Sequence, residues 1–228
     1  MKILSIECSA KASSVCLIED GKIQAEYFQQ DGKTHSRTIM PMVETLLKNC
    51  EIAVGDIDVL AVSNGPGSFT GIRIGVSVIK GLAFANDTKC CGVSSLEAMA
   101  YCVSDVVKHG VVCALMDARR GQYYNALFRI ADGKIERLCD DRAISYEDLK
   151  NELLSLNEKC FFVGDGAIAC AEYIKDGGID IELMPQNMIM QRAYGVGMLA
   201  FNKKQYISAN ELMPIYLRPP QAERERNK

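Results

Sequence analysis

Apolar and polar positions alternate three times before residue 30. Lys2 to Cys8 is apolar at Ile3, Leu4 and Ile6, Ser13 to Glu19 alternates into Val15 and Leu17, and Lys22 to Gln29 alternates through Ile23, Ala25 and Tyr27. That period predicts three strands, with Asp20-Gly21 as a hairpin turn between the last two. After a polar stretch, Ile39, Met40, Val43, Leu46 and Leu47 recur at helical spacing, which predicts a helix ending near Asn49 with Pro41 in its first turns. Val59 to Val62 reads as a strand running into Asn64-Gly65-Pro66-Gly67-Ser68-Phe69-Thr70-Gly71, and Ile72 to Ala85 as a helix. A strand at Cys91 to Val93 then leads to Ser94-Ser95-Leu96-Glu97, a capping box opening a helix through about Val107. The first half is therefore βββαβαβα.

The second half restarts the pattern. Val111 to Met116, Tyr123 to Ile130 and Lys134 to Leu138 read as strands, with Asp132-Gly133 as the turn. Ser145 and Asp148 cap a helix, Cys160 to Val163 is a strand, and Gly164-Asp165-Gly166-Ala167 is a second glycine loop entering a helix. Glu7 and Asp117, each ending a strand, lie 110 residues apart; the turns Asp20-Gly21-Lys22-Ile23 and Asp132-Gly133-Lys134-Ile135 lie 112 apart. Order and spacing predict an internally duplicated α/β fold of two βββαβαβα-type domains, residues 1–108 and 109–218, followed by a mobile charged tail at 219–228.

Composition narrows the chemistry. Among 228 residues, 26 Lys+Arg against 29 Asp+Glu leave a formal charge of −3, too little basicity to hold many phosphates unaided. Any nucleic acid is expected to be shared with a partner. No stretch approaches the roughly 20 apolar residues of a membrane span, and the apolar opening is cut at Glu7, so neither span nor signal peptide is expected. The ten cysteines include no C-x-x-C pair and sit mostly in apolar segments, which points to buried thiols in a reducing cytoplasm. The two histidines, His35 and His109, are far apart, so no self-contained zinc site is expected.

Candidate chemistry concentrates at the hairpins and the first glycine loop. An acid ending a strand and opening a tight hairpin suits metal and phosphate binding, which singles out Glu7 and Asp117. Arg119 beside Asp117 offers a planar guanidinium for phosphate. The run Gly65 to Gly71 lacks the Gly-Lys-Ser/Thr of a P-loop and the G-x-G-x-x-G spacing of a dinucleotide site. Gly71 and Gly75, four apart on a helix rich in Ile72, Ile74, Val76, Val78 and Ile79, suggest a flank that another helix approaches closely; burial within the core is the competing reading. His35 has no orienting acid in context and no G-x-S-x-G elbow exists, so it reads as a surface or interface histidine.

Glu7 with its hairpin, His35-Ser36, the dodecapeptide Asn64 to Gly75, Ser94 to Glu97, Asp117-Ala118-Arg119 and Tyr216-Leu217-Arg218 together resemble the TsaB (YeaZ) family, subunits of the bacterial machinery making threonylcarbamoyladenosine in tRNA. The resemblance implies an actin-like (ASKHA) duplicated fold. It also implies a non-catalytic scaffold or activating subunit, without metal or required cofactor of its own. Its TsaD-type catalytic paralogue moves a threonylcarbamoyl group to N6 of the adenosine beside the anticodon. A TsaE-type ATPase is implied at their junction, with ATP or ADP there near Glu7, Asp117 and Arg119. tRNA would be met only through the complex, and the chain alone would be a homodimer. The implied pairing surface is Ile39, Met42, Val43 and Leu46 on the first helix with Ser68, Phe69, Gly71, Ile72 and Gly75 on the second. Glu7-Cys8 stands where the family often has Asp-Thr, and Lys11 could oppose a metal ion. Two other classes compete: an autonomous ATP-dependent phosphotransferase using Glu7 and Asp117 around Mg²⁺, and a glycopeptidase, for which no nucleophile or metal constellation is visible.

Overall fold

The computed structural model describes residues 1–218; the tail expected at 219–228 lies outside them. The first lobe runs β1 (Lys2–Glu7), β2 (Ser13–Glu19), β3 (Lys22–Gln29), α1 (His35–Asn49), β4 (Val59–Gly65), α2 (Phe69–Phe84), β5 (Lys89–Ser94) and α3 (Ser95–Val103). The second repeats the order with one extra strand: β6 (His109–Asp117), β7 (Gln122–Ala131), β8 (Lys134–Arg137), β9 (Arg142–Ser145), α4 (Tyr146–Leu156), β10 (Cys160–Val163), α5 (Ala167–Ile174), β11 (Ile181–Leu183) and α6 (Ala193–Lys203). The sheets are ordered β3-β2-β1-β4-β5 and β11-β10-β6-β7-β8, with β9 paired to β7. β1 and β6 hold equivalent places, each antiparallel to its hairpin partner and parallel to the strand that ends in a glycine loop. Both Asp-Gly turns adopt the left-handed pair of angles a two-residue hairpin requires: Asp20 and Gly21 at φ 49° and 77°, Asp132 and Gly133 at 51° and 71°.

Central strands buried on both faces explain the long apolar runs. β1, β2 and β4 are nearly wholly buried, whereas β3, at the sheet edge, has no buried residue and exposes Ile23 and Phe28. All ten cysteines are free thiols, and all but Cys50 and Cys139 are buried. No helix among the described residues is long and apolar enough to cross a membrane.

The last helix of each lobe packs across the molecule. Leu96, Met99 and Val103 of α3 join the core of the second sheet beside Val111, Val112 and Leu115. In exchange Ala193, Val196, Leu199 and Ala200 of α6 cover Ile3, Cys16 and Ile18 of the first sheet. Gly195 and Gly197 permit this: a Cβ at Gly195 would collide with the Ala98 carbonyl, and one at Gly197 would lie 2.8 Å from Ser5 Oγ. Two ion-paired ends fix α6. Glu26 on β3 accepts the Tyr194 amide (3.1 Å) and pairs with Arg192 (2.8 Å), while Glu97 on α3 pairs with Lys203 (2.7 Å) and Arg137 (2.9 Å). Downstream, Leu212 sits in the core between the first sheet, α1 and α2, and Cys90 and Ile207 exchange backbone hydrogen bonds. The strand at His109 begins the second sheet, and the stretch from Ala193 onward packs on the first.

Candidate functional site

Two concave features share a wall at the N-terminus of α2: a cleft between the lobes and a groove on the outer flank of the first lobe.

The cleft, about 470 Å³, lies between the hairpins that follow β1 and β6. The two turns obey one local rule, in which the strand-terminal acid accepts the amide two residues on: Glu7 Oε1 from Ser9 at 2.5 Å, Asp117 Oδ1 from Arg119 at 2.7 Å. Their surroundings differ. Asp117 is exposed and lines the cleft with Arg119, Lys11, Asp165 and Arg218. Glu7 is buried and does not line it, and its Oε2 has no partner. Burial raises the Glu7 pKa against the opposing influence of the neighbouring Ser9 and Ser63, and negative charge on Asp165 adds to the rise. Asp165 is also raised, first by burial, with the Gln191 hydrogen bond and Lys11 acting the other way and Asp117 reinforcing. So of the three residues expected near nucleotide, Asp117 and Arg119 face the cleft and Glu7 does not. Its carboxyl braces the hairpin from below.

The first hairpin is also fastened from three sides. The Ser68 amide donates to the Ser9 carbonyl (2.6 Å), His35 Nε2 donates to the Ala10 carbonyl (2.6 Å), and the Cys8 thiol meets the Gly71 carbonyl (3.1 Å). His35 is therefore a half-buried tether from the first turn of α1.

The same tight packing overturns most of the pairing surface expected from sequence. Ile39, Met42, Val43 and Leu46 are the inner face of α1 and belong to the core under the first sheet. Gly71, Ile72 and Gly75 are the inner face of α2. A Cβ at Gly71 would collide with the Cys8 carbonyl, and one at Gly75 would lie 2.8 Å from Cys8 Sγ and 3.0 Å from Val62. The glycine spacing thus brings α2 close to its own sheet, not to a second helix. Ser68 is the N-cap, its Oγ accepting the Gly71 amide at 3.3 Å.

The outer face of the same helix pair is a groove of about 430 Å³, walled by Met40, Phe69, Arg73, Ile74 and Val78 with Ile39 beneath. Of the nine residues expected there, only Phe69 and Ile39 contribute. Phe69 and Thr70 line cleft and groove alike. Phe69 stacks on Tyr216 (centroids 4.6 Å apart, planes at 27°), and Arg73 lies 3.8 Å over the Phe69 ring while its Nε donates to Tyr216 Oη at 2.9 Å. Met40, Arg73 and Ile74 were legible only as helix positions. Ile74 and Val78 stand four apart, as do Phe69 and Arg73, but a helix apolar on nearly every side gives no sign of which stripe faces its own sheet. Among the described residues, no group of three or more His, Cys, Asp or Glu side chains is placed to hold a metal ion.

Comparison with known proteins places this architecture. The family model described as TsaD: tRNA N6-adenosine threonylcarbamoyltransferase matches residues 22–220. The tRNA threonylcarbamoyladenosine biosynthesis protein TsaB of Bacillus subtilis (strain 168) is 34% identical over 176 residues, covering 77% of this chain and 76% of its own. The protein of that name from Escherichia coli (strain K12) is 31% identical over 224 residues, covering 96% and 95%. A Pseudomonas aeruginosa crystal structure of a protein with similarity to the peptidase YEAZ superposes with a TM-score of 0.80 at 24% identity, over 95% of this chain and 99% of that one. With matches of this extent the chain belongs to the TsaB/YeaZ family, and its two α/β lobes have the fold of the Pseudomonas aeruginosa structure.

Proposed function

We propose that this chain is the non-catalytic subunit of the machinery that makes threonylcarbamoyladenosine in tRNA, pairing with a TsaD-type catalytic paralogue through the outer α1–α2 groove. The observation that carries the pairing is the groove itself: Met40, Phe69, Ile74 and Val78 form an apolar wall around the Arg73 guanidinium, on two rigid helices. A partner of the same fold has an equivalent helix pair to lay against it, which also supports a homodimer when the partner is absent. The braced first hairpin supports the non-catalytic role. Its backbone hydrogen-bonding groups are engaged by Glu7, Ser68 and His35, and burial favours a neutral Glu7 over the carboxylate that a metal ion would need.

On this reading ATP or ADP and a TsaE-type ATPase belong to the junction with the partner. Arg119 and Asp117, on the open second hairpin, are this chain's contribution to it. The charge of −3 leaves tRNA to be gripped through the complex, in the cytoplasm.

The test is co-expression of the full chain with the TsaD-type paralogue, followed by mass measurement of what elutes together. A one-to-one or two-to-two assembly lost in Met40→Glu is the expected result. Separate elution overturns the pairing. The competing reading, an autonomous phosphotransferase, draws on Asp117 and Asp165 converging on the cleft. Titration of the isolated chain with Mg-ATP decides it: tight binding with turnover lost in Asp117→Ala would favour that reading.

A further inference from the structure

The chain beyond Leu212 crosses from one lobe to the other over the mouth of the cleft. On the first lobe, Lys80 Nζ donates to the Leu212 carbonyl (3.1 Å), Asn64 Nδ2 to the Met213 carbonyl (2.9 Å), and the Ile215 amide to the Asn64 carbonyl (2.7 Å). Tyr216 then lies on Phe69 and accepts from Arg73. Two residues later Arg218 has reached the second lobe. It donates to the Ala118 carbonyl (3.5 Å), bonds the Gln122 side chain, and lies 5.8 Å over the Tyr124 ring. Ile215, Tyr216, Leu217 and Arg218 all line the cleft.

This strap touches both functional surfaces. Arg73 is exposed in the groove and is the donor to Tyr216 at the cleft, while Phe69 is a wall of both. A group seated in the groove therefore restricts the side chains that hold the strap's first-lobe end. The strap's other end rests on the hairpin that carries Asp117 and Arg119. That hairpin is conformationally costly as it stands: Arg119 and Arg120 take left-handed φ of 62° and 57° before Gly121 at 70°. Contacts from outside the turn are what hold such a conformation.

We propose that residues 212–218 are a latch coupling the outer flank of α2 to the second hairpin, so that filling the groove at Arg73 and Phe69 tightens the cleft wall bearing Asp117 and Arg119. The groove half of this rests on the partner surface proposed above. By linkage the coupling is reciprocal: a released strap weakens whatever the groove binds, and an occupied groove slows release of the strap. The two discrete states are the strap bound at both ends and the strap detached from the hairpin.

Amide exchange on the full chain, at a dilution where mass measurement shows the monomer, reads the latch without any partner. The reporters are the Ile215 amide on the first lobe and the Ala118 amide, which donates to the Gln122 carbonyl at 3.0 Å, on the second. Tyr216→Phe keeps the ring stack and removes only the acceptor of Arg73; Arg73→Ala removes the donor from an exposed position. Each is expected to speed exchange at Ile215 about fivefold, as for loss of one hydrogen bond, and to speed Ala118 by a smaller but measurable factor. Ser77→Ala, in the groove but off the strap, should change neither. An Ala118 rate that stays at the wild-type value while Ile215 accelerates overturns the latch, as does no response at either amide. With the paralogue bound, Ile215 exchange should slow and Arg218→Ala should weaken the complex several-fold. A complex that forms without slowing Ile215 overturns the groove half. A complex that never forms overturns the partner reading, while the two amides still report on the latch.

Discussion

The two hairpins share one turn chemistry in different surroundings. Each opens with an acid that accepts the amide two residues on, from Ser9 in the first and Arg119 in the second. The first is built of small residues, lies under the glycine loop and is fastened by His35 and Ser68; none of Cys8 to Ala12 needs a left-handed φ. The second stands open, with arginines at two left-handed positions. Identical turn chemistry thus gives a structural brace where burial removes the acid from water, and a chemically available surface where it does not. On the proposed function, recognition by the first lobe lies on the flank of α1 and α2 rather than at its hairpin.

That contrast breaks most severely at α2's own glycines. Gly71→Val drives a side chain into the Cys8 backbone and should cost about 3 kcal/mol or more, read as a collapse of the thermal midpoint. Gly81 on the same helix has nothing within 4 Å, so Gly81→Ala should raise stability by about 0.5–1 kcal/mol. Next comes the inside against the outside of the helix pair. Ile72→Ala empties core space and should cost about 2–5 kcal/mol in chemical denaturation. Met40→Glu, on the outer wall, should leave the unfolding midpoint nearly unchanged and weaken association about tenfold or more.

A pH series separates the two acids. The Glu7 carboxyl is raised in the folded state above its ordinary value of 4.5, so the folded chain keeps a proton that the unfolded chain gives up. Its contribution to stability is fully present below pH 4.5 and is lost as pH rises through the folded-state pKa. Glu7→Gln keeps the carbonyl that accepts from Ser9 and cannot ionise. Its stability relative to the unaltered chain should therefore climb from about pH 4.5 upward, whereas a constant difference across that range would show that Glu7 is not held neutral. The smallest effect is expected at the second turn, where Arg119→Gly relieves one left-handed residue and should gain at most about 1 kcal/mol.

Much of the fold was legible because its signals are local. The three opening strands, both Asp-Gly turns and the helix caps at Ser94 and Ser145 need only a few adjacent residues, and each forms, although β1 and β2 are buried on both faces where their sequences alternate. Where a signal depended on a distant partner it was redirected. Glu97 spends its carboxylate on Arg137 and Lys203 instead of completing its capping box. α6 carried no periodic signal, since Gly195 and Gly197 hide against α3 and the first sheet. The direction of α2 was the costliest ambiguity. Ile72, Val76 and Ile79 face inward while Ile74 and Val78 face outward, and only the position of the sheet decides between them. Asp165 and the strap at Ile215 to Arg218 join the cleft through long-range folding, which no spacing along the chain records.

The most direct test of the account is the mass of the co-expressed assembly with Met40→Glu beside Met42→Ala. If the outer flank is the pairing surface, Met40→Glu elutes as separate chains with an unchanged melting profile, and Met42→Ala stays assembled but melts earlier. An assembly that survives Met40→Glu intact and is lost in Met42→Ala at temperatures where that variant is folded would contradict it.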